Sequence, residues 1–164
     1  MTNNVFPSKV TFFKHPIHAA LVDFPLAFLS GAFLSDLGYL ATGDLFWARA
    51  SFWLISIGLL SGLLSAITGA IDFFSIEQAQ THPAGWRHFI VNSLALSLTG
   101  LNLTLRVEQP ETYIVLFGLI LSALVALFLM AGGWFGGELS FHYGIGVYSR
   151  SDEGPEPSHR NVPA

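Results

Sequence analysis

The chain has 164 residues, of which 52% are hydrophobic and only 11% are charged. Soluble domains carry about 25% charged residues, so this chain has too little charge to cover an ordinary aqueous surface. Its formal net charge of -4, without any cluster of Lys or Arg, argues against a nucleic-acid partner. The absence of cysteine excludes disulfides, thiolate metal sites, iron–sulfur clusters and covalent c-type haem. The lipid bilayer is the expected solvent, and histidine and carboxylate remain as the strong ligands.

Four stretches are long and apolar enough to cross a bilayer as helices, which takes about 20 residues each. They run roughly over residues 19–41, 48–73, 88–105 and 113–130. Because the connections are short, we predict an all-α fold, an up-down-up-down bundle of four transmembrane helices with both termini on the same side. Pro25 should kink the first helix. No repeat longer than the helical periodicity is evident.

The spans divide the chain into three parts. Residues 1–14 form an N-terminal interfacial segment, which we expect to be retained because it lacks the apolar core of a cleavable signal. Residues 15–149 form the transmembrane domain. Residues 150–164 carry Pro, Gly and charge with little to bury, which predicts a disordered tail.

Histidines from three distant stretches should gather at one end of this bundle. Counting the crossings puts His15 and His18 of KHPIH, His88 of WRHFIVN and His142 of GELSFHYG on the N-terminal side. A single histidine near a membrane surface is more often structural, but four at one level favour a cofactor or metal site. Polar residues expected beside them are Asp72, Arg87, Asn92 and Glu138.

The basic residues favour this end as the cytoplasmic one. Five lie on the histidine side and two on the other, namely Lys9, Lys14, Arg87, Arg150 and Arg160 against Arg49 and Arg106. Cytoplasmic loops are enriched in Lys and Arg. The bias therefore predicts cytoplasmic termini.

The order of four motifs, HPIHAALVDFP, TGAIDFF, RHFIVN and GGELSFHYGIGV, resembles the bacterial membrane family known as domain of unknown function 2231. The resemblance covers about residues 15–148 and implies a four-helix fold in the bacterial inner membrane. That family is similar to small two-haem b-type membrane cytochromes, and some relatives are fused to electron-transfer modules. The resemblance therefore implies redox work, as an electron-transfer subunit or a membrane oxidoreductase.

Haem b is the first candidate ligand. Non-covalent haem needs axial imidazoles from facing helices and polar groups for its propionates, and quinone or a redox protein would be its partner. The axial candidates are His15, His18, His88 and His142, with Asp72 and Asn92 as supporting groups and Lys14 or Arg87 for the propionates. The chain predicts one haem at the histidine end, because the other end has no histidine.

Two other readings stay open. The first is an iron, zinc or copper ion held by nitrogen and oxygen ligands, drawn from His15, His18, His88, His142, Asp72 and Glu138. The second is a non-redox membrane scaffold or a proton-linked carrier that uses Asp23, since carboxylates within spans suit proton relays. Gly58, Gly62 and Ala66 form a small-residue stripe that could admit a flat cofactor, a neighbouring helix or a second copy of the chain.

Overall fold

The structure is a computed structural model that describes residues 5–107 and 110–148. The predicted disordered tail at 150–164 lies outside the described residues. Four segments are long and apolar enough to cross a membrane, Ile17–Thr42, Leu45–Ser75, Pro83–Arg106 and Leu119–His142. This confirms the predicted all-α membrane fold with four spans.

The chain begins with a small hairpin of β1 (Thr11–Phe12) and β2 (His15–Pro16), which the sequence analysis did not predict. The helices follow in the order α1 (Ile17–Leu21), α2 (Asp23–Thr42), α3 (Leu45–Ser75), α4 (Glu77–Thr81), α5 (Pro83–Arg106), α6 (Pro110–Tyr113) and α7 (Leu119–Gly137). A π-helical turn at Ile114–Gly118 precedes α7, and another at Glu138–His142 follows it.

Local sequence signals explain where the first helices begin and end. The ring of Pro25 is incompatible with the carbonyl four residues earlier, and α1 ends at that residue, Leu21. Gly43 ends α2 in the left-handed conformation, with φ of 68°, which glycine adopts without steric cost. The Asp44 side chain then caps α3 by accepting from the backbone N–H of Phe46 at 2.9 Å.

The last span is longer than predicted. Helical structure continues past Met130, through the glycines to Gly137 and on to His142. Glycine lowers intrinsic helix propensity, but here it permits close helix contact. A Cβ at Gly132 would lie 2.6 Å from Asn92, and one at Gly136 would lie 2.9 Å from His88.

The four spans form two tightly packed hairpins, α2 with α3 and α5 with α7, which then pack on each other. The small-residue stripe of α3 lies inside this arrangement. Gly58 packs against Leu29, and a Cβ at Gly62 would lie 2.6 Å from Leu96. The proposed use of this stripe by a second copy or a flat cofactor was therefore wrong at these two glycines, because helices of the same chain occupy the space.

A buried polar network joins all four spans at the end away from His18. Asp36 and Arg106 are fully buried and form a two-pronged ion pair, with both N···O distances at 2.7 Å. Arg106 also donates to the Ser51 hydroxyl, at 2.8 Å, and to the side chain of Asn102, at 2.8 Å. The Ser122 hydroxyl donates to Asp36 at 2.6 Å. Arg106 is thus a bundle residue, so counting it among the loop charges was wrong.

The N-terminal segment crosses the opposite end of the bundle, where Asp72 holds it. The buried carboxylate accepts from the Ser8 hydroxyl at 2.6 Å and from the backbone N–H groups of Lys9 and Val10 at 2.7 and 3.2 Å. Phe6 pairs with Ile145, so the two ends of the described chain lie side by side. The membrane side on which they lie stays a prediction.

Replacing Asp72 by alanine should release this segment. The change leaves the backbone N–H groups of Lys9 and Val10 without their acceptor, which costs about 1–3 kcal/mol for a buried polar group, while the Ser8 hydroxyl keeps the Val10 carbonyl. We expect amide hydrogen exchange at Lys9 and Val10 to accelerate. Asp44→Ala is the matched control, because it removes a carboxylate acceptor from the start of α3. Equal exchange at Lys9 in both variants would contradict the role given to Asp72.

Candidate functional site

His18 and His88 face each other at the end of the bundle under the N-terminal segment. The ring centres are 6.1 Å apart and the ring planes are nearly perpendicular, at 89°. His18 lies on α1 and His88 on α5, so one ring comes from each hairpin. We call this end the histidine end.

A backbone carbonyl holds each ring in one tautomer. Nδ1 of His18 donates to the carbonyl oxygen of Ser65 at 2.9 Å, and Nδ1 of His88 donates to that of Gly132, also at 2.9 Å. A carbonyl oxygen can only accept, so Nδ1 of each ring carries a hydrogen, and in the neutral ring Nε2 has the lone pair. No described residue hydrogen-bonds Nε2 of either ring, and every enclosed side-chain nitrogen or oxygen has a partner. Both Nε2 atoms are therefore at least partly exposed.

A glycine lies against each ring. A Cβ at Gly69 of α3 would lie 2.6 Å from Cε1 of His18, and one at Gly136 of α7 would lie 2.9 Å from Cε1 of His88. Contacts under 3 Å force a neighbour to move, and helix backbone on the other side leaves a ring little room. Only glycine allows these rings to lie so close to the helices.

Asn92 lies one turn after His88, on the same helix face as predicted. Its amide donates to the backbone carbonyl of His88 at 2.8 Å and lies 3.3 Å from Nδ1 of the ring. The side chain also packs against Gly132. Asn92 therefore supports the His88 ring from the side and does not face His18.

The structure does not bring the other predicted residues to this pair. His15 is exposed on β2, and His142 is exposed on the last π-helical turn. Asp72 binds the N-terminal segment, so the Ser65 and Gly132 carbonyls take the ring-orienting place that the sequence analysis assigned to it. Arg87 is exposed and lies over the Phe135 ring, 5.8 Å from its centre. Glu138 is half-buried on the same turn as His142.

Asp23, a candidate for the carrier reading, also departs from expectation. A carboxylate within a span usually faces the bundle interior. Asp23 is instead exposed, in the first turn of α2. Asp36 is the carboxylate that faces the interior.

The separation of the two ring centres matches the spacing of two imidazoles that bind one metal from opposite sides. Two metal–nitrogen bonds of about 2 Å, with roughly 1 Å from each nitrogen to its ring centre, span about 6 Å, close to the observed 6.1 Å. A bare zinc ion would need at least three protein ligands. The described residues contain no group of three or more His, Asp or Glu that could hold a metal ion. Haem brings four nitrogens of its own, so a histidine pair suffices.

The sequence analysis did not find the residues that support the rings. Ser65 and Gly69 are four apart on α3, and Gly132 and Gly136 are four apart on α7. Small residues at this spacing usually serve helix packing, so the pattern alone does not indicate a site. Only their positions beside His18 and His88 show what they do.

Comparison with known proteins supports the class of the molecule. No curated protein and no solved structure matches the chain. A family model described as "Predicted membrane protein (DUF2231)" matches residues 14–149, which include all four spans and both histidines of the pair. The chain therefore belongs to the membrane protein family of domain of unknown function 2231.

Proposed function

We propose that this protein binds one haem b between His18 and His88 and carries single electrons in the bacterial inner membrane. The observation that carries the proposal is the histidine pair, with rings 6.1 Å apart, perpendicular planes and two accessible Nε2 atoms. Both rings also have the tautomer that a metal requires, because Nδ1 of each donates to a carbonyl.

Haem would supply an iron that takes up and releases one electron. The residues of the chain would determine whether that iron transfers electrons or catalyses a reaction. His18 and His88 would both bind the iron, so no position on it would remain open for oxygen or a substrate. The hydrogen bonds from Nδ1 to the carbonyls raise the basicity of the ligands. This arrangement favours electron transfer over catalysis at the metal.

The position of the proposed site in the membrane determines which electron-transfer partners can reach it. The proposed site lies under the N-terminal segment, at the end that the positive-inside rule makes cytoplasmic. Lys14 and Arg87 are exposed cations at this end and would pair with the propionates. Quinone from the bilayer or a redox protein at the surface would exchange the electron.

Histidine substitutions test the ligand and its axial pair together. We expect purified protein to contain one haem per chain, His18→Ala and His88→Ala to lose it, and His15→Ala and His142→Ala to retain it. The measurement is the Soret absorbance with haem quantified as its pyridine complex. The two exposed histidines are matched controls, because they are the same residue type at the same end of the chain's fold.

Other results would point to the other readings. A protein without a Soret band that holds stoichiometric iron, zinc or copper would favour the metal site. Absence of both would favour the scaffold or proton-linked carrier. Loss of haem only from the His15 or His142 variants would show that a different pair binds it.

Glycine substitutions test the close approach to His88. Gly136→Ala places a methyl group against the ring, and overpacking of this kind costs about 1–3 kcal/mol, which corresponds to roughly 5- to 150-fold in affinity. We expect weaker haem binding in a titration of the haem-free protein. Gly133→Ala is the control, because the added Cβ meets nothing within 4 Å. Equal affinities in the two variants would contradict the assigned role of Gly136.

A further inference from the structure

The two hairpins match each other residue by residue. Adding 70 to a residue number in α1 or α2 gives its counterpart in α5, so His18 corresponds to His88 and Asp36 to Arg106. In the structure, each of these two pairs meets across the interface between the hairpins. Three of the four buried positions between them in α2 match as well, in the pairs Pro25 and Ala95, Leu29 and Thr99, and Ala32 and Asn102.

The second helix of each hairpin follows the same rule with an offset of 67. Ser65, whose carbonyl accepts from His18, corresponds to Gly132, whose carbonyl accepts from His88. Gly69 under the first ring corresponds to Gly136 under the second. Ser51 and Gly118, which both touch Arg106, are also counterparts.

A small cavity lies midway along the bundle, and its walls obey the same correspondence. Seven residues line it, and six of them form three pairs of counterparts, Leu29 with Thr99, Ala32 with Asn102, and Ile55 with Ser122. The seventh is Val125. A space bounded by equivalent residues from both hairpins lies on the axis that relates them.

We infer that the protein is two copies of one helical hairpin related by a pseudo-two-fold axis, and that Asp36 and Arg106 clamp the copies so as to set the separation of His18 and His88. His18 lies 18 residues before Asp36, and His88 lies 18 residues before Arg106. This separation is about five helical turns. His88 and Arg106 therefore lie on the same face of α5. Their partners are His18 on α1 and Asp36 on α2, so the histidine pair and the clamp lie at opposite ends of the axis. Parallel repeats of this kind, with an axis along the membrane normal, occur in membrane proteins.

The geometry and the charges of the Asp36–Arg106 ion pair suit it to holding the two hairpins at a fixed separation. Apolar side chains in contact tolerate small shifts, but a guanidinium held to a carboxylate by two parallel hydrogen bonds has one favoured geometry. The charges are opposite in the two copies, so the first hairpin pairs with the second and not with another first hairpin. The clamp thus specifies both which hairpins pair with each other and how far apart they lie.

Spin labels can measure the separation of the hairpins directly. The chain has no cysteine, so Ala20→Cys with Ile90→Cys introduces two unique labels. These exposed residues are themselves counterparts, near the histidine end. In the full-length protein in lipid nanodiscs, we expect pulsed electron paramagnetic resonance to give one narrow distance distribution.

Two double variants then test the clamp. Asp36→Leu with Arg106→Met removes both charges and avoids a lone buried ion, which would unfold the protein. We expect the width of the distance distribution to at least double. Asp36→Arg with Arg106→Asp exchanges equivalent positions and should bring the width back toward the parent value. Ser35→Ala is the control, because its hydroxyl bonds within α2, to the Gly31 carbonyl, and it should leave the width unchanged.

Two results would overturn the inference. The first is a parent-like width in the apolar variant, which would mean that packing alone sets the separation. The second is a width in the exchanged variant as large as in the apolar one. The inference rests on the proposed function only in assuming that haem binds between the two histidine rings. The distance measurement between the spin labels needs no haem. Failure of the clamp and failure of haem binding are therefore separate results.

Discussion

Inside a bilayer no water is available for a polar group, and each such group in a spanning helix has to find its partner within the protein. Most of the architecture follows from this constraint. Among the described residues, every enclosed side-chain nitrogen and oxygen has a hydrogen-bond partner. Arg106 shows how completely this is done, since it reaches the carboxylate of Asp36, the hydroxyl of Ser51 and the amide of Asn102. It also donates to the Ser122 hydroxyl at 3.3 Å, so this one cation reaches each of the other three spans through its own hydrogen bonds.

The histidine pair departs from this pattern in an informative way. His18 and His88 each satisfy Nδ1 with a backbone carbonyl but leave Nε2 accessible. Among the described residues, neither Nε2 atom has a hydrogen-bond partner, whereas the enclosed side-chain nitrogens and oxygens all have one. The ion pair and the histidine pair therefore differ. The polar atoms of Asp36 and Arg106 have their partners within the protein, whereas the Nε2 atoms of the two histidines do not.

Glycine has a specific part in each of these features. At Gly62 its small size allows α3 to approach Leu96 on α5, and at Gly69 and Gly136 it makes room for imidazole rings. Gly118 does the same for the guanidinium of Arg106. Close backbone approach therefore holds the bundle together and also shapes both ends of its axis.

The sequence by itself determined the membrane class and the four spans, and local signals at Pro25 and Gly43 explain the break before Pro25 and the end of α2. These depend on local composition, since a long apolar stretch, a proline ring or a glycine in a turn acts on its own segment. Sequence order also placed the histidine motifs near one another, because crossings can be counted. It could not choose among His15, His18, His88 and His142, which differ in side-chain direction and not in order.

Only the tertiary structure decided which rings face each other and which carboxylate serves the N-terminal segment. It also showed the relation between the hairpins, which sequence comparison misses because counterparts share burial and place but rarely residue type, as Leu29 and Thr99 do. Whether a residue is buried on the axis between the hairpins depends on how two helices pack together. The sequence of one helix does not contain that information, so the correspondence between the hairpins is visible only in the packed bundle.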